Sequence, residues 1–145
     1  MSKRKNTDWL QAPCPCGRQS PQHKPLPGAD CCGRYLEHFM DVPAPDAESL
    51  MRSRYTAFVL GRTAYLLATW LPDNRPGQLE AEQGTQWLGL EVRGHSQPDA
   101  DHAEVEFVAR YRINGRAERL HERSRFVRLE DGAMSRWLYV DGDML

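Results

Sequence analysis

The residues of this chain best suited to chemistry are Cys14, Cys16, Cys31 and Cys32, the only cysteines among its 145 residues. They stand as two tight pairs, Cys14-Pro15-Cys16-Gly17 and Cys31-Cys32-Gly33, in a Pro/Gly-rich stretch too short to build a core. Four soft thiolates at this spacing suit one tetrahedral Zn²⁺. A segment of this size folds around its metal, and the binding energy, about 10–16 kcal/mol in zinc-finger peptides, becomes folding energy. A closed four-thiolate set leaves no position for substrate, so the expected zinc is structural. Redox or disulfide chemistry is the competing reading. Cys31 and Cys32 are poor partners for each other, because neighbouring Cα atoms on a trans peptide sit closer than a disulfide requires. His23, in the spacer between the pairs, is left open as a substitute for one thiolate.

Outside the cysteines, Arg54 stands out. On a helical wheel it falls between Leu50 and Phe58, inside an apolar arc, where a guanidinium must find a carboxylate or carbonyls. Glu122 is the first expected partner and Asp141 the second. Arg54 then orients an anionic ligand between helix and sheet, forms a structural salt bridge, or snorkels to the surface. In His121-Glu122-Arg123-Ser124-Arg125, strand alternation groups Glu122 and Ser124 with Leu120 and Phe126, and turns His121, Arg123 and Arg125 the other way. Glu122 against apolar walls has the makings of an acid/base with a raised pKa. The plainer reading is a cross-strand charge ladder with Arg110 and Arg112. Trp70, Trp87, Trp137 and Tyr139 line a pocket or are simply core. The expected pocket is Arg54, Tyr55, Glu122 and Trp137. There is no His-Glu-x-x-His, phosphate loop or nucleophile elbow.

These residues need elements to hold them. Residues 1–13 read as a flexible tail, 14–41 as the cysteine module, and Val42-Pro43-Ala44-Pro45 as a linker. An α+β domain is expected over 46–142. Asp46 is the expected N-cap of a helix over Ala47–Leu60, with Glu48 placed to favour the helix dipole. Leu50, Met51, Tyr55 and Phe58 share its apolar face. Gly61 interrupts, and a second helix is expected from about Arg62 to Trp70. Leu71–Gly77 is a breaker cluster, and 79–86 is ambiguous, with a short helix one option. The period then changes to two, over Trp87–Arg93, Ala103–Ile113, Arg119–Leu129 and Trp137–Asp141. Asn114-Gly115 predicts a type I′ hairpin, and Asp131-Gly132 the next turn. Helices followed by antiparallel strands predict helices covering one sheet face.

Charged residues make up 27% of the chain and hydrophobic ones 40%, as in globular proteins. The net charge of −1 disfavours nucleic acid as a partner, despite Lys3-Arg4-Lys5, Arg18, Lys24 and Arg34 near the cysteines. No apolar run is long enough to span a membrane and no signal-peptide pattern is present, so a cytoplasmic location with reduced thiols is expected.

The two cysteine pairs resemble the SEC-C motif, the small zinc module also found at the C-terminus of the preprotein translocase ATPase. The resemblance continues through Leu50-Met51-Arg52-Ser53-Arg54-Tyr55, Tyr65-Leu66-Leu67-Ala68-Thr69-Trp70, Trp87-Leu88-Gly89-Leu90, Val105–Tyr111, Glu122–Phe126 and Trp137–Gly142. In that order these blocks resemble the bacterial YchJ family. The resemblance implies a SEC-C zinc module joined to a cone-shaped domain similar to the nuclear transport factor 2 (NTF2)-like superfamily, and no particular activity. SEC-C modules usually carry Gly-Ser-Gly after the first pair and a shorter basic, aromatic spacer. Here Gly17-Arg18-Gln19-Ser20 and a longer Pro-rich spacer change the module's surface rather than its four ligands.

Three functions follow as expectations. The first is a non-enzymatic adaptor, with the zinc module taking a protein partner and the cone pocket a small ligand. Dimerisation through the sheet is left open. The second is an enzyme with Glu122 as acid/base and Arg54 orienting an anionic substrate. The third is an inert structural domain.

Overall fold

Asp46 starts the helix around which the molecule is arranged. In the computed structural model, which describes residues 7–79 and 84–145, its side chain accepts a hydrogen bond from the Ser49 N–H at 2.7 Å. The capped helix runs over Ala47–Leu60 and ends at Gly61, whose φ of 73° supplies the left-handed stop. A shorter helix precedes it, so Gly33–Leu36 is α1, Ala47–Leu60 α2 and Thr63–Ala68 α3. Helix α2 has no single apolar stripe because it is buried on more than one side. Leu50, Met51 and Tyr55 are buried, and so are Ser49, Ser53, Thr56 and Ala57. Phe58, expected on the buried face, is 42% exposed.

Helix α3 is shorter than the expected 62–70. Past Ala68 the chain leaves the helix to run beside the last strand, where the Tyr139 N–H donates to Thr69 O and the Leu71 N–H to Tyr139 O, both at 2.8 Å. This short parallel bridge at Trp70 covers part of an otherwise open sheet edge.

The strands are β1 (Thr85–Asp99), β2 (His102–Ile113), β3 (Arg116–Asp131) and β4 (Met134–Met144), in one antiparallel sheet of order β1-β2-β3-β4. β1 and β3 outrun their expected lengths because their added ends are mostly polar and exposed, and ladder hydrogen bonds rather than apolar alternation hold them. Asn114 and Gly115 have φ of 52° and 77°, as a type I′ hairpin requires, and Gly132 at 65° opens the β3–β4 turn. Register shifts leave Leu88, Arg93 and Val140 as extra residues. Such bulges bend a strand and strengthen its twist, which curves the sheet around α2 into the cone.

The cysteine module and the sheet domain share one core, with all four cysteines in the same cluster as Tyr35, Leu50, Leu66, Val105 and Phe126. The part of the expected tail that is described is packed. Asp8–Leu10 form a 3-10 turn, Trp9 presses on Gly28 where a Cβ would collide with its ring, and Leu10 leaves no room for a Cβ at Gly33. Lys3-Arg4-Lys5, and residues 80–83 of the ambiguous 79–86 segment, lie outside the described residues. Among the described residues no helix is long and apolar enough to cross a membrane.

Asp46→Ala removes the cap and is expected to cost about 1 kcal/mol, read as a lower urea midpoint with an unchanged m-value.

Candidate functional site: a four-thiol cluster and an aromatic cavity on two faces of one helix

The first cysteine pair sits on a short hairpin closed by bridges between Pro13 and Pro27 and between Gln19 and Pro25. The Cys14 N–H donates to Leu26 O at 2.8 Å, and Gly17, at φ 76°, turns the chain after Cys16. The second pair joins the 3-10 turn Gly28–Asp30 to α1. All four residues are buried free thiols, and their sulfurs lie within 4.8 Å of one another, with Cys16 and Cys31 at 3.5 Å. A tetrahedral ion with bonds of about 2.3 Å sets its sulfurs about 3.8 Å apart, so the cluster fits one metal ion. His23 is exposed at the hairpin tip and takes no part in the cluster.

The electrostatics point the same way. Hydrogen bonds from Cys16, Cys31 and Cys32 hold the Cys14 thiol far below its usual range. Hydrogen bonds with Cys14, Cys16 and Cys31, together with burial, push Cys32 far above it. The crowded thiols ionise at one another's expense: Cys14 and Cys16 are lowered while Cys31 and Cys32 are raised. A cation is what allows all four to ionise.

Helix α2 meets this cluster with Glu48, Ser49, Arg52 and Thr56. The Thr56 hydroxyl is 3.8 Å from Cys14 Sγ, and Arg52 Nη1 donates to Cys16 O at 3.1 Å. Arg18 donates to Ser49 Oγ at 3.0 Å and, with Arg52, shares Glu48 at 3.3 and 2.9 Å. About a third of a turn round the same helix, Met51, Arg54, Tyr55 and Phe58 face a cavity of about 170 Å³ closed by the inner face of the sheet. Trp87, Phe107 and Phe126 supply much of its wall, and Tyr55 meets Trp87 edge-on with centroids 5.6 Å apart.

Arg54 is buried, as the wheel predicts, but with other partners than expected. Its Nη1 donates to Leu66 O and Thr69 Oγ1, both at 2.7 Å. The guanidinium lies over the rings of Tyr139 and Trp70, 4.7 and 5.2 Å from their centroids. Burial lowers its pKa to about 10, which leaves it cationic at neutral pH. Among the described residues no carboxylate forms an ion pair with it.

Glu122 stands in the same cavity. Its Oε2 accepts from the Ser124 hydroxyl and, at 3.4 Å, from Tyr139 OH, while Oε1 accepts from no described residue. Asp141 is excluded by the Val140 bulge. Unbroken alternation from Trp137 and Tyr139 would turn Asp141 inward. The extra residue turns it outward to Arg125 Nε, at 2.5 Å, and brings Gly142 inward. A Cβ at Gly142 would fall within 2.9 Å of three Glu122 side-chain atoms, so this glycine makes room for the carboxylate.

Residues 46–142 match the family described as the YchJ middle NTF2-like domain. The chain belongs to the YchJ family. A UPF0225 protein of Polaromonas sp. (strain JS666) is 62% identical over 133 residues, covering 91% of this chain and 93% of its own. A UPF0225 protein of Cupriavidus pinatubonensis is 51% identical over 150 residues, covering 100% and 97%. The crystal structure of a SEC-C motif containing protein from Psychrobacter arcticus superposes with a TM-score of 0.77 at 32% identity, over 92% of this chain and 82% of that one. The solution structure of another, from Rhodopseudomonas palustris, gives 0.72 at 31%, over 92% and 98%. The YchJ-family fold here is therefore a SEC-C-like module on an NTF2-like α+β domain.

Of the expected pocket residues, Arg54, Tyr55 and Glu122 come together and Trp137 does not. Trp137 is buried farther along β4, beside a separate small cleft that Leu50 and Tyr65 also line, and Tyr139 and Trp70 take the place expected for it. Nor does the charge ladder involve Arg110 and Arg112. His121 and Arg123 meet Glu106 on the outer sheet face, at 2.9 and 3.4 Å, while Arg110 turns to Glu91. Sequence reasoning missed Arg18, Arg52 and Thr56. For Arg52 and Thr56 the signal was their place, with Glu48, on a second polar face of α2; Arg18 reaches that face from the cysteine hairpin.

Gly142→Ala is expected to cost about 1–3 kcal/mol by crowding Glu122. A double-mutant cycle with Glu122→Ala, read by urea denaturation, should show most of that cost disappearing.

Proposed function

We propose that the cysteine cluster holds a structural Zn²⁺ and that the cavity beside it is a small-molecule binding site. One observation carries the second half. Two charged groups share a largely aromatic cavity and leave bonding capacity unused among the described residues: Glu122 Oε1 accepts from none of them, and Arg54 Nε and Nη2 donate to none. These atoms are not among the buried unpaired ones, so they open onto the cavity, where a polar ligand could take them up. Zinc is supported by four thiolates with no oxygen or nitrogen donor among them, in a closed and buried set. Such a site needs reduced thiols, which supports a cytoplasmic location.

In this reading the metal serves the cavity. Thr56 and Arg52 tie the cluster to α2, and α2 presents Met51, Arg54 and Tyr55 to the ligand. One face of the module is spent on that contact. A protein partner would then meet its exposed hairpin tip, Gln22-His23-Lys24. The free Glu122 oxygen beside a buried cation also supports a second reading, in which Glu122 moves a proton on a ligand held by Arg54.

Protein purified without added metal is expected to carry about one zinc per chain by elemental analysis. In chelator competition, Thr56→Val should weaken metal binding by about ten- to a hundredfold. For the cavity, saturation-transfer NMR should show toluene or benzamide binding to the wild type. Ala109→Leu, which fills the cavity from β2, should abolish that binding while the fold is kept. No binding by either probe, or equal binding to both proteins, would sink the ligand-site reading.

A further inference from the structure

The chemistry of the cavity restricts its ligand further than its shape does. Its size is the first constraint. An engineered apolar cavity of about 150 Å³ holds one benzene, so about 170 Å³ takes one ring, and the neighbouring cleft that shares Phe58, Trp87 and Leu120 leaves room for a substituent to extend. Planar walls at Trp87, Phe107 and Phe126 suit such a ring.

Charge is the second constraint. Arg54 and Glu122 stand beyond ion-pair distance of each other, yet close enough for the carboxylate to favour the guanidinium cation. The cavity therefore holds one positive and one negative group and is neutral as a whole. An anionic ligand satisfies Arg54 and is repelled by Glu122. A cationic one satisfies Glu122 and is repelled by Arg54. A zwitterion answers both but must bring two ions out of water.

The third constraint is the unused bonding capacity. Arg54 offers the N–H donors of its Nε and Nη2, which no described residue takes up. Glu122 Oε1 offers one acceptor. A matching ligand edge carries an acceptor able to take more than one hydrogen bond, next to a single donor. A carbonyl oxygen beside an N–H has that arrangement, without a net charge.

We propose that the cavity recognises an uncharged carboxamide group carried on one ring, its carbonyl toward Arg54 and its N–H toward Glu122. This inference rests on the reading of the cavity as a ligand site and names the chemistry of the ligand. Four probes of nearly equal size separate the alternatives: benzamide, benzoate, benzylamine and toluene. Their affinities would be measured by ligand-observed NMR titration of the full chain at neutral pH.

Benzamide is expected to bind tightest, ahead of benzoate and benzylamine by about tenfold or more, the worth of one hydrogen bond to a charged group. Glu122→Gln removes the negative charge and should invert the order of benzamide and benzoate. Arg54→Met should lose the preference for benzamide over toluene. If Arg54→Met fails to fold, Glu122→Gln carries the test alone. Benzoate or benzylamine matching benzamide in the wild type, or an unchanged order in Glu122→Gln, would overturn the carboxamide assignment and leave the ligand site standing. No binding by any probe would overturn both.

Discussion

Four buried thiols within 4.8 Å of one another are the constraint on which the rest of this molecule depends. Thiols so close cannot all be ionised without a cation, and a segment so rich in proline and glycine forms little regular structure of its own. The surrounding residues fit that demand. Glycines follow each pair: Gly17 turns the chain, and Gly33 lets Leu10 approach where a Cβ would not fit. Thr56, Arg52 and Arg18 then fasten the module to α2 rather than leaving it on the Val42–Pro45 segment. Once α2 is fixed on that side, its other face has one position over the sheet. The placement of Arg54 follows from the placement of the cysteines.

Much of this was legible because local rules and global fold agree. Asp46 caps the helix it was expected to cap, and Asn114-Gly115 turns where positive φ is needed. Strict alternation set Glu122 and Ser124 on the inner face of β3, which carries no bulge. What escaped had non-local causes. The Val140 bulge reverses the faces of Asp141 and Gly142, and no residue type announces it. Trp137 and Tyr139 share a face, so alternation could not tell which reaches the cavity. The partners of Arg54 lie on α3 and at Thr69, where a backbone carbonyl and a hydroxyl give no signal as a carboxylate would.

The separation of Arg54 from Glu122 has an energetic logic. A directly paired buried arginine and glutamate gain Coulomb energy but lose the hydration of two ions, and the balance is often near zero. Here each charge is answered separately. Arg54 has two short hydrogen bonds and two aromatic faces, and Glu122 has two hydroxyl donors on one oxygen. Neither charge is stranded, and neither uses up the other. A collapsed ion pair would be a finished piece of core. Two half-satisfied charges across an aromatic cavity are stable enough to fold around and still open to a third group.

Metal cluster and cavity are thus parts of one device. Residues 48, 49, 52 and 56 of α2 hold the thiol module, while 51, 54, 55 and 58 line the cavity. The two sets interleave along barely three turns, so a rotation of α2 cannot disturb one and spare the other. Side chains packed at interior density transmit such a rotation instead of absorbing it. Loss of an ion held there would release Thr56 and Arg52 from the module, and Arg54 lies on the same helix two residues from each. If the proposed metal and ligand sites are both real, the affinity of the cavity would depend on the metal without any contact between ligand and ion.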